Sequence, residues 1–497
     1  MNLSDVIARN AAFAPEKVAV RFLSKAITYG AFSTRIDETA AALSAKLGIG
    51  QGDRVAILAL NHPDTLVLLY ACARVGAILA PLNWRLAEPE LAFILGDAAP
   101  AILVADAHHE AEATRLAGSR PGLPVLRLGD GAGSLGELLA DGGDRRPASE
   151  GRLSDPLLVV YTSGTTGRPK GAVLAQEALV WNGVMSQHMH GLTSDDHVLT
   201  VLPFFHVGGL NIQTTPALHH GATVTIHPRF DPAETLAAIG TDRPTLTVLV
   251  PATMAAALAE PGFESADLSS LRAITTGSTF VPQAFVEPFE HRGVPVLQVY
   301  GATETCPIAV YTRLGGPRPQ GSTGWPGTFC EAKIVDDAGR DLPDGAAGEI
   351  WIRGPQILSG YWRNEAATRE GIVDGWFRTG DIATRDRSGA YRVHDRKKNV
   401  VISGGENIYP AEIERVLLEH EAVAECAVVG RPDPRWGEVP VAHVVLRPGA
   451  SCTAAVLSAH VLTQLARFKA PKDFVFAESL PKSALGKVQH HLLREKA

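Results

Sequence analysis

The sequence predicts an α/β protein with a large N-terminal domain and a small α+β C-terminal lid domain. Its 497 residues are too many for one hydrophobic core, so we expect more than one domain. Short apolar runs such as Arg54–Leu60 and Ala101–Ala105 alternate with segments of helical periodicity such as His62–Gly76, which is typical of βαβ subdomains. After about Glu331, short strands joined by Gly-Asp and Asp-Gly turns replace this alternation and predict antiparallel hairpins in a small β-barrel-like part.

Individual elements follow from the same patterns. Ser4 is expected to cap a helix that begins at Asp5, and Asp231 a helix over Pro232–Ile239, because short polar side chains accept hydrogen bonds from the first helical turn. Further strands of the large domain are predicted at Val198–Leu202, Thr223–His227, Thr245–Val250 and Leu297–Tyr300. The helices and strands of the C-terminal unit are predicted at Ala411–His420, Cys426–Gly430, Val441–Leu446 and Ala454–Arg467.

The composition is that of an ordinary soluble globular protein, with 45% hydrophobic and 20% charged residues. The net charge of -7 comes from acidic and basic residues mixed along the chain, which argues against binding to nucleic acids or to an anionic membrane surface. Five widely spaced cysteines without a CxxC pair favour free thiols. Residues Met1–Lys17 do not resemble a signal peptide, and Thr65–Ala80 is too short to span a bilayer, so a cytoplasmic location is expected. The oligomeric state is not predicted.

The strongest local signal is a glycine-rich loop that follows a buried strand. Backbone N–H groups and hydroxyls in such a loop can bind phosphate oxygens, and a lysine adds a positive charge. The loop is not a Walker A motif, because Pro169 precedes its lysine and Gly171 follows it. Phosphate binding is therefore predicted for Thr162, Ser163, Gly164, Thr165, Thr166, Gly167 and Lys170.

This loop resembles the nucleotide loop of the adenylate-forming superfamily, and the whole chain is similar to its acyl-CoA synthetases. The family's other signatures follow in order at Pro203–Gly209, Thr276–Thr279, Gln298–Thr305, Trp376–Asp381, Ser403–Pro410 and Pro481–Lys487. The resemblance implies a reaction in two steps. ATP first converts a carboxylic acid to acyl-AMP and pyrophosphate, and the thiol of coenzyme A then displaces AMP.

The resemblance also implies where the nucleotide binds. Glu304 and Thr166 are expected to hold Mg²⁺, Thr303 the α-phosphate, and Asp381 and Arg396 the ribose. Lys487 is expected to bridge the acid's carboxylate and the α-phosphate. The adenine and its surroundings are assigned to Gly277, Ser278, Tyr300, Gly301 and Ala302.

For the acid, the resemblance places His206 beside the carboxylate and adds Gly277, Gly301 and Ala302 to the acyl pocket. The lack of a basic residue near His206 and in Val250–Met254 favours an apolar monocarboxylate, either a medium-chain fatty acid or an aryl acid.

For coenzyme A, Gly404 and Gly405 are expected to line the pantetheine tunnel, since side chains there would obstruct the thiol. Trp436 either stacks near CoA or is a partly buried packing residue. Some relatives carry an arginine where this chain has Ala470, so the contacts to the CoA phosphates are not predicted.

The resemblance divides the chain into an N-terminal adenylation domain over 1–395, a hinge over 396–399 and a mobile lid over 400–497, with Lys398 as the hinge residue. Two alternatives remain open. One is an acyl-AMP ligase that loads a carrier protein instead of CoA. The other is a non-catalytic nucleotide-binding protein.

Overall fold

The fold is given by a computed structural model. It describes residues 1–129, 131, 133–140, 150–162, 169–277, 281–403, 406–434, 436–465, 467–482 and 487–495.

The helices of the described residues are distributed along the whole chain. In chain order they are α1 (Ser4–Phe13), α2 (Tyr29–Leu47), α3 (Pro63–Val75), α4 (Glu88–Ala98), α5 (Glu110–Gly118), α6 (Leu135–Ala140), α7 (Gln176–His190), α8 (Val207–Asn211), α9 (Thr214–His219), α10 (Pro232–Asp242), α11 (Pro251–Ala259), α12 (Gln283–His291), α13 (Glu365–Gly371), α14 (Pro410–Leu418), α15 (Ala454–Leu462) and α16 (His490–Arg494).

The strands of the first three hundred or so residues build two large sheets. They are β1 (Val18–Phe22), β2 (Lys25–Thr28), β3 (Arg54–Leu58), β4 (Ile78–Pro81), β5 (Ile102–Ala105), β6 (Val125–Arg127), β7 (Pro156–Thr162), β8 (Lys170–Ala175), β9 (His197–Thr200), β10 (Thr223–Ile226), β11 (Leu246–Val248), β12 (Ala273–Gly277), β13 (Val296–Tyr300), β14 (Val310–Tyr311) and β15 (Trp325–Pro326).

The remaining strands build two smaller sheets and extend one of the large ones. They are β16 (Glu331–Val335), β17 (Ala347–Arg353), β18 (Gly360–Tyr361), β19 (Ile372–Val373), β20 (Trp376–Arg385), β21 (Tyr391–Arg396), β22 (Val401–Ser403), β23 (Glu406–Ile408), β24 (Val423–Asp433), β25 (Gly437–Leu446) and β26 (Asp473–Phe476).

The first sheet orders its strands β15-β14-β13-β12-β11-β9-β10-β1-β2. Its central strands, from β13 to β1, are parallel, so their carboxyl ends meet at one edge. Binding sites of parallel sheets commonly lie at that edge. The register pairs Gly277 at the end of β12 with Val299, one residue before the end of β13.

The second sheet has the order β18-β8-β7-β4-β3-β5-β6, with β7 and β8 forming an antiparallel hairpin. Thr162 pairs with Lys170 at the open end of that hairpin. One continuous hydrophobic core joins these two sheets and extends to Ile350 and Phe377 of the third. The predicted βαβ architecture is confirmed.

The third sheet is antiparallel, with β17 between β16 and β20, and with β19 and β21 both paired to β20. The predicted hairpins after Glu331 are therefore present. The sheet after Val401 contains only strands of the C-terminal part, and it has its own core around Ile413, Val428 and Val461.

Several local predictions are confirmed. Asp231 accepts a hydrogen bond from the Glu234 N–H and caps α10, and α3 lies within the predicted helical segment His62–Gly76. Two others are wrong in detail. Ser4 is the first residue of α1 rather than its cap, and its backbone N–H and hydroxyl both donate to the Asn2 side chain. Helix α15 ends at Leu462 rather than at the predicted Arg467, where a separate 3₁₀ turn begins.

All five cysteines are free thiols. Within the described ranges, we find no helix whose length and hydropathy would allow it to cross a membrane.

Candidate active site

Two glycines are required where β12 and β13 end. A Cβ on Gly277 would lie 2.2 Å from the Val299 carbonyl oxygen, and one on Gly301 would lie 1.6 Å from the Pro307 carbonyl oxygen. Both neighbours are backbone atoms that cannot move aside. Glycine therefore lets these two strand ends and the turn at Thr303–Thr305 lie against each other.

A polar cluster around the buried Asp381 lies beside this edge. The Tyr300 hydroxyl donates to Asp381 Oδ2 at 2.7 Å, and Arg396 Nε lies 2.8 Å from Asp381 Oδ1. The pairing follows from the β20–β21 register, which places Asp381 opposite Arg396. Burial raises the pKa of Asp381, which is 6% exposed, and Arg396 opposes that shift. The Asp381 carboxylate in turn raises the pKa of Arg396.

Glu304 lies near a second group of side chains. The Tyr361 hydroxyl donates to Glu304 Oε1 at 2.8 Å, and Lys170 Nζ lies 5.7 Å from the centre of the Tyr361 ring. The Glu304 carbonyl oxygen accepts from the Leu358 N–H at 2.8 Å. Tyr361 therefore connects the end of the glycine-rich loop with the turn that carries Thr303 and Glu304.

His206 caps α8 through its own ring. Nδ1 accepts from the Gly208 N–H at 2.9 Å, and burial lowers the pKa of His206 to about 4, with Lys487 adding to the shift. The imidazole is therefore neutral at pH 7. Because Nδ1 accepts, the single ring proton is on Nε2, which leaves His206 as a hydrogen-bond donor.

Asn61 fixes the loop that carries His206. Its Nδ2 donates to the Leu202 carbonyl at 2.9 Å, and its Oδ1 accepts from the Phe204 N–H at 2.8 Å. Asn61 is 3% exposed, so these bonds compete with little water.

Lys487 brings the C-terminal part of the chain to the same place. Its ammonium lies close enough to Arg396, Asp381, Glu304 and His206 to interact electrostatically with each of them. Burial lowers the pKa of Lys487 and Arg396 lowers it further, while the two carboxylates oppose this effect. The site therefore collects two carboxylates and three cationic groups, counting Lys170, around one edge of the first sheet.

Some of the other predicted residues lie in the described part of the chain, and the rest lie outside it. Trp436 is 44% exposed, and Lys398 lies in the short 3₁₀ turn between β21 and β22. Ala302 precedes the turn at Thr303. Eight predicted residues lie outside the described part of the chain: Ser163, Gly164, Thr165, Thr166, Gly167, Ser278, Gly404 and Gly405.

Sequence reasoning missed Tyr361 and Asn61. Neither belongs to a loop rich in glycine or charge, so no local pattern marks them. Each becomes significant only through a partner that is distant in the sequence, Glu304 for Tyr361 and Phe204 for Asn61.

Comparison with known proteins establishes the family. The family described as AMP-binding enzyme matches residues 7–362, and the AMP-binding enzyme C-terminal domain matches residues 412–487. The chain belongs to the AMP-binding enzymes. Like the other adenylate-forming members of this family that it resembles, it is an acyl-CoA synthetase, an acid–thiol ligase that binds ATP.

Similar members act on a range of acids. The indoleacetate–CoA ligase of Aromatoleum aromaticum is 46% identical, and the match covers 100% of this chain and 98% of that enzyme. The feruloyl-CoA synthase of an Amycolatopsis species is 41% identical, and the match covers 97% of this chain and 96% of that enzyme. Among solved structures, the anthranilate–CoA ligase in complex with anthranoyl-AMP has a TM-score of 0.93 at 28% identity, with 100% and 97% covered.

Proposed function

We propose that this acyl-CoA synthetase activates an aryl-substituted monocarboxylic acid and transfers the aryl acyl group to coenzyme A. The observation that carries the proposal is the convergence of Lys487 with His206, Glu304 and the Asp381–Arg396 pair. A cation beside a neutral histidine donor suits a single carboxylate. The aryl acids named for the similar ligases favour an aryl group over a medium-chain fatty acid.

In the first step, a carboxylate oxygen attacks the α-phosphorus of ATP and pyrophosphate leaves with the bonding electrons. Both reactants are anions, so the chain mainly positions them and offsets their charge. Lys487 bridges the carboxylate and the α-phosphate. His206 Nε2–H donates a hydrogen bond to the carboxylate oxygen that does not attack. Asp381 accepts hydrogen bonds from the ribose hydroxyls, and the Arg396 cation favours the ionised form of that carboxylate.

The donors around Glu304 fit a magnesium ion. Among the described residues, no group of three or more His, Cys, Asp or Glu side chains could hold a metal on its own. Mg²⁺ commonly takes one or two carboxylates and completes its shell with phosphate oxygens and water. Glu304 would supply the carboxylate, with Thr166 as a further ligand, and the ion would offset charge on the departing pyrophosphate. Tyr361 orients the Glu304 carboxylate through its hydroxyl.

In the second step, the CoA thiol attacks the acyl carbon, the C–O bond to AMP breaks, and AMP leaves. We assign the pantetheine path to Gly404 and Gly405 and a CoA contact to the exposed Trp436. The carrier-protein alternative is not favoured, because the similar enzymes are CoA ligases.

The domain division over 1–395, 396–399 and 400–497 is part of the proposal, with rotation about Lys398 between the two steps. Contacts around the turn support it. The Lys397 ammonium is paired with Asp337 and Glu349 of the N-terminal part, whereas the Lys398 carbonyl accepts from Arg494 in α16.

The test is a panel of aryl, short-, medium- and long-chain monocarboxylates in two assays. One measures acid-dependent exchange of labelled pyrophosphate into ATP, and the other measures AMP release with and without CoA. We expect aryl acids to give the highest kcat/KM in both and AMP release to require CoA. If only fatty acids supported pyrophosphate exchange, the assignment of an aryl acid would be refuted. If AMP were released at the same rate without CoA, the assignment of CoA as the acyl acceptor would be refuted.

A further inference from the structure

A buried glutamine near His206 has an amide oxygen without a partner. Gln213, between α8 and α9, is 1% exposed. Among the residues that the structure describes, no donor lies within hydrogen-bonding distance of its Oε1. A buried acceptor without a partner is costly to a folded protein, so it usually has a ligand or a bound water.

The orientation of this amide follows from a chain of hydrogen bonds. His190 Nδ1 lies 2.8 Å from the Ser186 carbonyl oxygen, which can only accept, so Nδ1 carries a proton. Burial lowers the pKa of His190 to about 4, so the ring is neutral and its Nε2 is an acceptor. The Thr275 hydroxyl, 2.8 Å from that Nε2, must therefore donate to it.

With its proton committed, Thr275 Oγ1 accepts from Gln213 Nε2 at 3.1 Å. The reverse orientation of the amide would bring Oε1 against a hydroxyl oxygen that has no proton to donate. The network from Ser186 to Thr275 thus fixes Nε2 on Thr275 and leaves Oε1 as the acceptor without a partner.

Gln213 lines a small cavity of about 10 Å³ behind the His206 loop, together with Leu202, Gly208, Gly209, Thr214 and Val248. The volume suits one polar group about the size of a water molecule. Glycine at 208 leaves this wall without a side chain, and a Cβ there would lie 2.9 Å from His206 Nδ1. Gly208 therefore borders the cavity and also lies against the His206 ring.

The threonines of this wall do not satisfy Gln213. The Thr214 hydroxyl donates to the Gly209 carbonyl at 2.7 Å, so the Thr200 hydroxyl must donate to Thr214 Oγ1 at 2.8 Å. Neither threonine hydroxyl can therefore donate a hydrogen bond to Gln213 Oε1. The other lining side chains are apolar, which leaves the donor to be supplied from outside the protein.

We propose that Gln213 Oε1 accepts a hydrogen bond from the acid substrate, which is an aryl acid whose ring carries an N–H or O–H donor at the end remote from the carboxylate. This inference rests on the proposed function and narrows its substrate class. Gln213 is thus a specificity-determining residue, and loss of the donor leaves the buried Oε1 without a partner.

The test compares acids that differ only in the donor, first on the unmodified enzyme. Indole-3-acetate is paired with benzofuran-3-acetate, and 4-hydroxycinnamate with 4-fluorocinnamate, so that the two pairs distinguish N–H from O–H donors. In pyrophosphate exchange we expect kcat/KM to be roughly tenfold higher for the donor-bearing member of at least one pair. Equal values within both pairs would overturn the inference.

The variant Gln213→Met keeps the side-chain length and removes the acceptor. It should abolish the preference within the pair, mainly by lowering kcat/KM for the donor-bearing acid. Gln356→Met, at another fully buried glutamine, which lies beside Cys330, should leave the preference intact. A merely structural role for Gln213 predicts the same fractional loss for both acids, as does a bound water on Oε1.

The two proposals fail differently. If no aryl acid supports exchange, the proposed function is wrong. If aryl acids react but the donor has no effect, only the assignment of Gln213 is wrong. Should Gln213→Met not fold, as judged by circular dichroism, the comparison on the unmodified enzyme still decides.

Discussion

At the scale of single residues, the charges of the site surround one buried carboxylate and are themselves partly exposed, with the Arg396 side chain 50% exposed. Asp381 is buried, Arg396 is its ion-pair partner, and Lys487 adds a cation to the same place. Charges in such a setting act more strongly on a bound anion than charges on open surface, since less water screens them. Removing one of them should therefore affect the chemical step more than the binding of ATP.

The first prediction concerns Lys487. Lys487→Ala should lower the rate of acyl-AMP formation about 100-fold or more, because it removes the cation that offsets the approach of two anions. Single-turnover formation of radiolabelled acyl-AMP measures this step. Thioester formation from supplied acyl-AMP should stay within a few-fold of the unmodified enzyme.

Lys482→Ala is the matched control, since Lys482 is an exposed lysine of the same segment, paired with Glu425. Its adenylation rate should not change. Normal acyl-AMP formation by Lys487→Ala would remove Lys487 from the mechanism.

At the scale of elements, the strand ends create the site. The parallel register of β12 and β13 sets Gly277 beside Val299, and the antiparallel register of β20 and β21 sets Asp381 opposite Arg396. The Gly277–Val299 contact requires a residue without a side chain, whereas the Asp381–Arg396 contact requires the strand register that places the two residues opposite each other. A larger residue is therefore less tolerated at position 277.

The second prediction concerns Gly301. Gly301→Ala should lower adenylation more than tenfold and destabilise the protein by about 2 kcal/mol or more, because its Cβ would lie 1.6 Å from the Pro307 carbonyl oxygen. Gly240→Ala is the control, since a Cβ in that part of α10 meets nothing within 4 Å and alanine favours helix. Urea unfolding and pyrophosphate exchange measure the two effects. Equal stability of the two variants would contradict the steric argument.

Elements of this kind show what the sequence can predict. Local signals identified α3, α10 and the strands near their true ends, because capping and periodicity act over a few residues. The motifs also brought Glu304, Asp381, Arg396 and Lys487 together as a set. Tyr361 and Gln213 escaped notice, because each depends on partners from separate elements, such as His190 and Thr275 for Gln213. Donor and acceptor assignments of that kind require coordinates.

At the scale of the whole molecule, two properties emerge that no single element determines. One is the response to acid, which depends on buried histidines in several elements. The other is the change of orientation proposed for the C-terminal part, which depends on the short turn at Lys397–Asn399.

The third prediction concerns pH. Burial lowers the pKa of His190 and His206 to about 4 and that of His219 to about 3. The folded state keeps these rings neutral, whereas the unfolded chain takes up protons as the pH falls below about 6.5. The free energy of unfolding is therefore unaffected by these rings above pH 6.5. It decreases as the pH falls from 6.5 toward 4. Each of these histidines should lower the free energy of unfolding by about 1.4 kcal/mol when the pH changes from 7.5 to 5.5.

Urea unfolding at the two pH values measures the loss. His219→Gln should reduce the difference between them by about 1.4 kcal/mol, since glutamine does not titrate. The exposed His108 provides the control, and His108→Gln should leave the difference unchanged. An unaltered difference in His219→Gln would show that this ring does not stay neutral in the folded state.

The fourth prediction concerns the hinge. Lys398→Pro should leave acyl-AMP formation within a few-fold of normal and lower thioester formation at least tenfold, because proline fixes φ at the proposed pivot. Lys398→Ala removes the side chain without this restriction and should affect neither step strongly. Rapid-quench assays of the two steps provide the measurement. An equal loss of both steps in Lys398→Pro would place the pivot elsewhere.

The position of Lys487 in the chain bears on how the protein is made. Every other residue assigned to the site precedes it, so the ribosome adds this lysine last. A nascent chain that ends before Lys487 lacks the cation to which we assign the approach of the carboxylate to the α-phosphate. On that assignment, an unfinished polypeptide should form acyl-AMP about 100-fold or more slowly, as expected for Lys487→Ala, until synthesis passes Lys487.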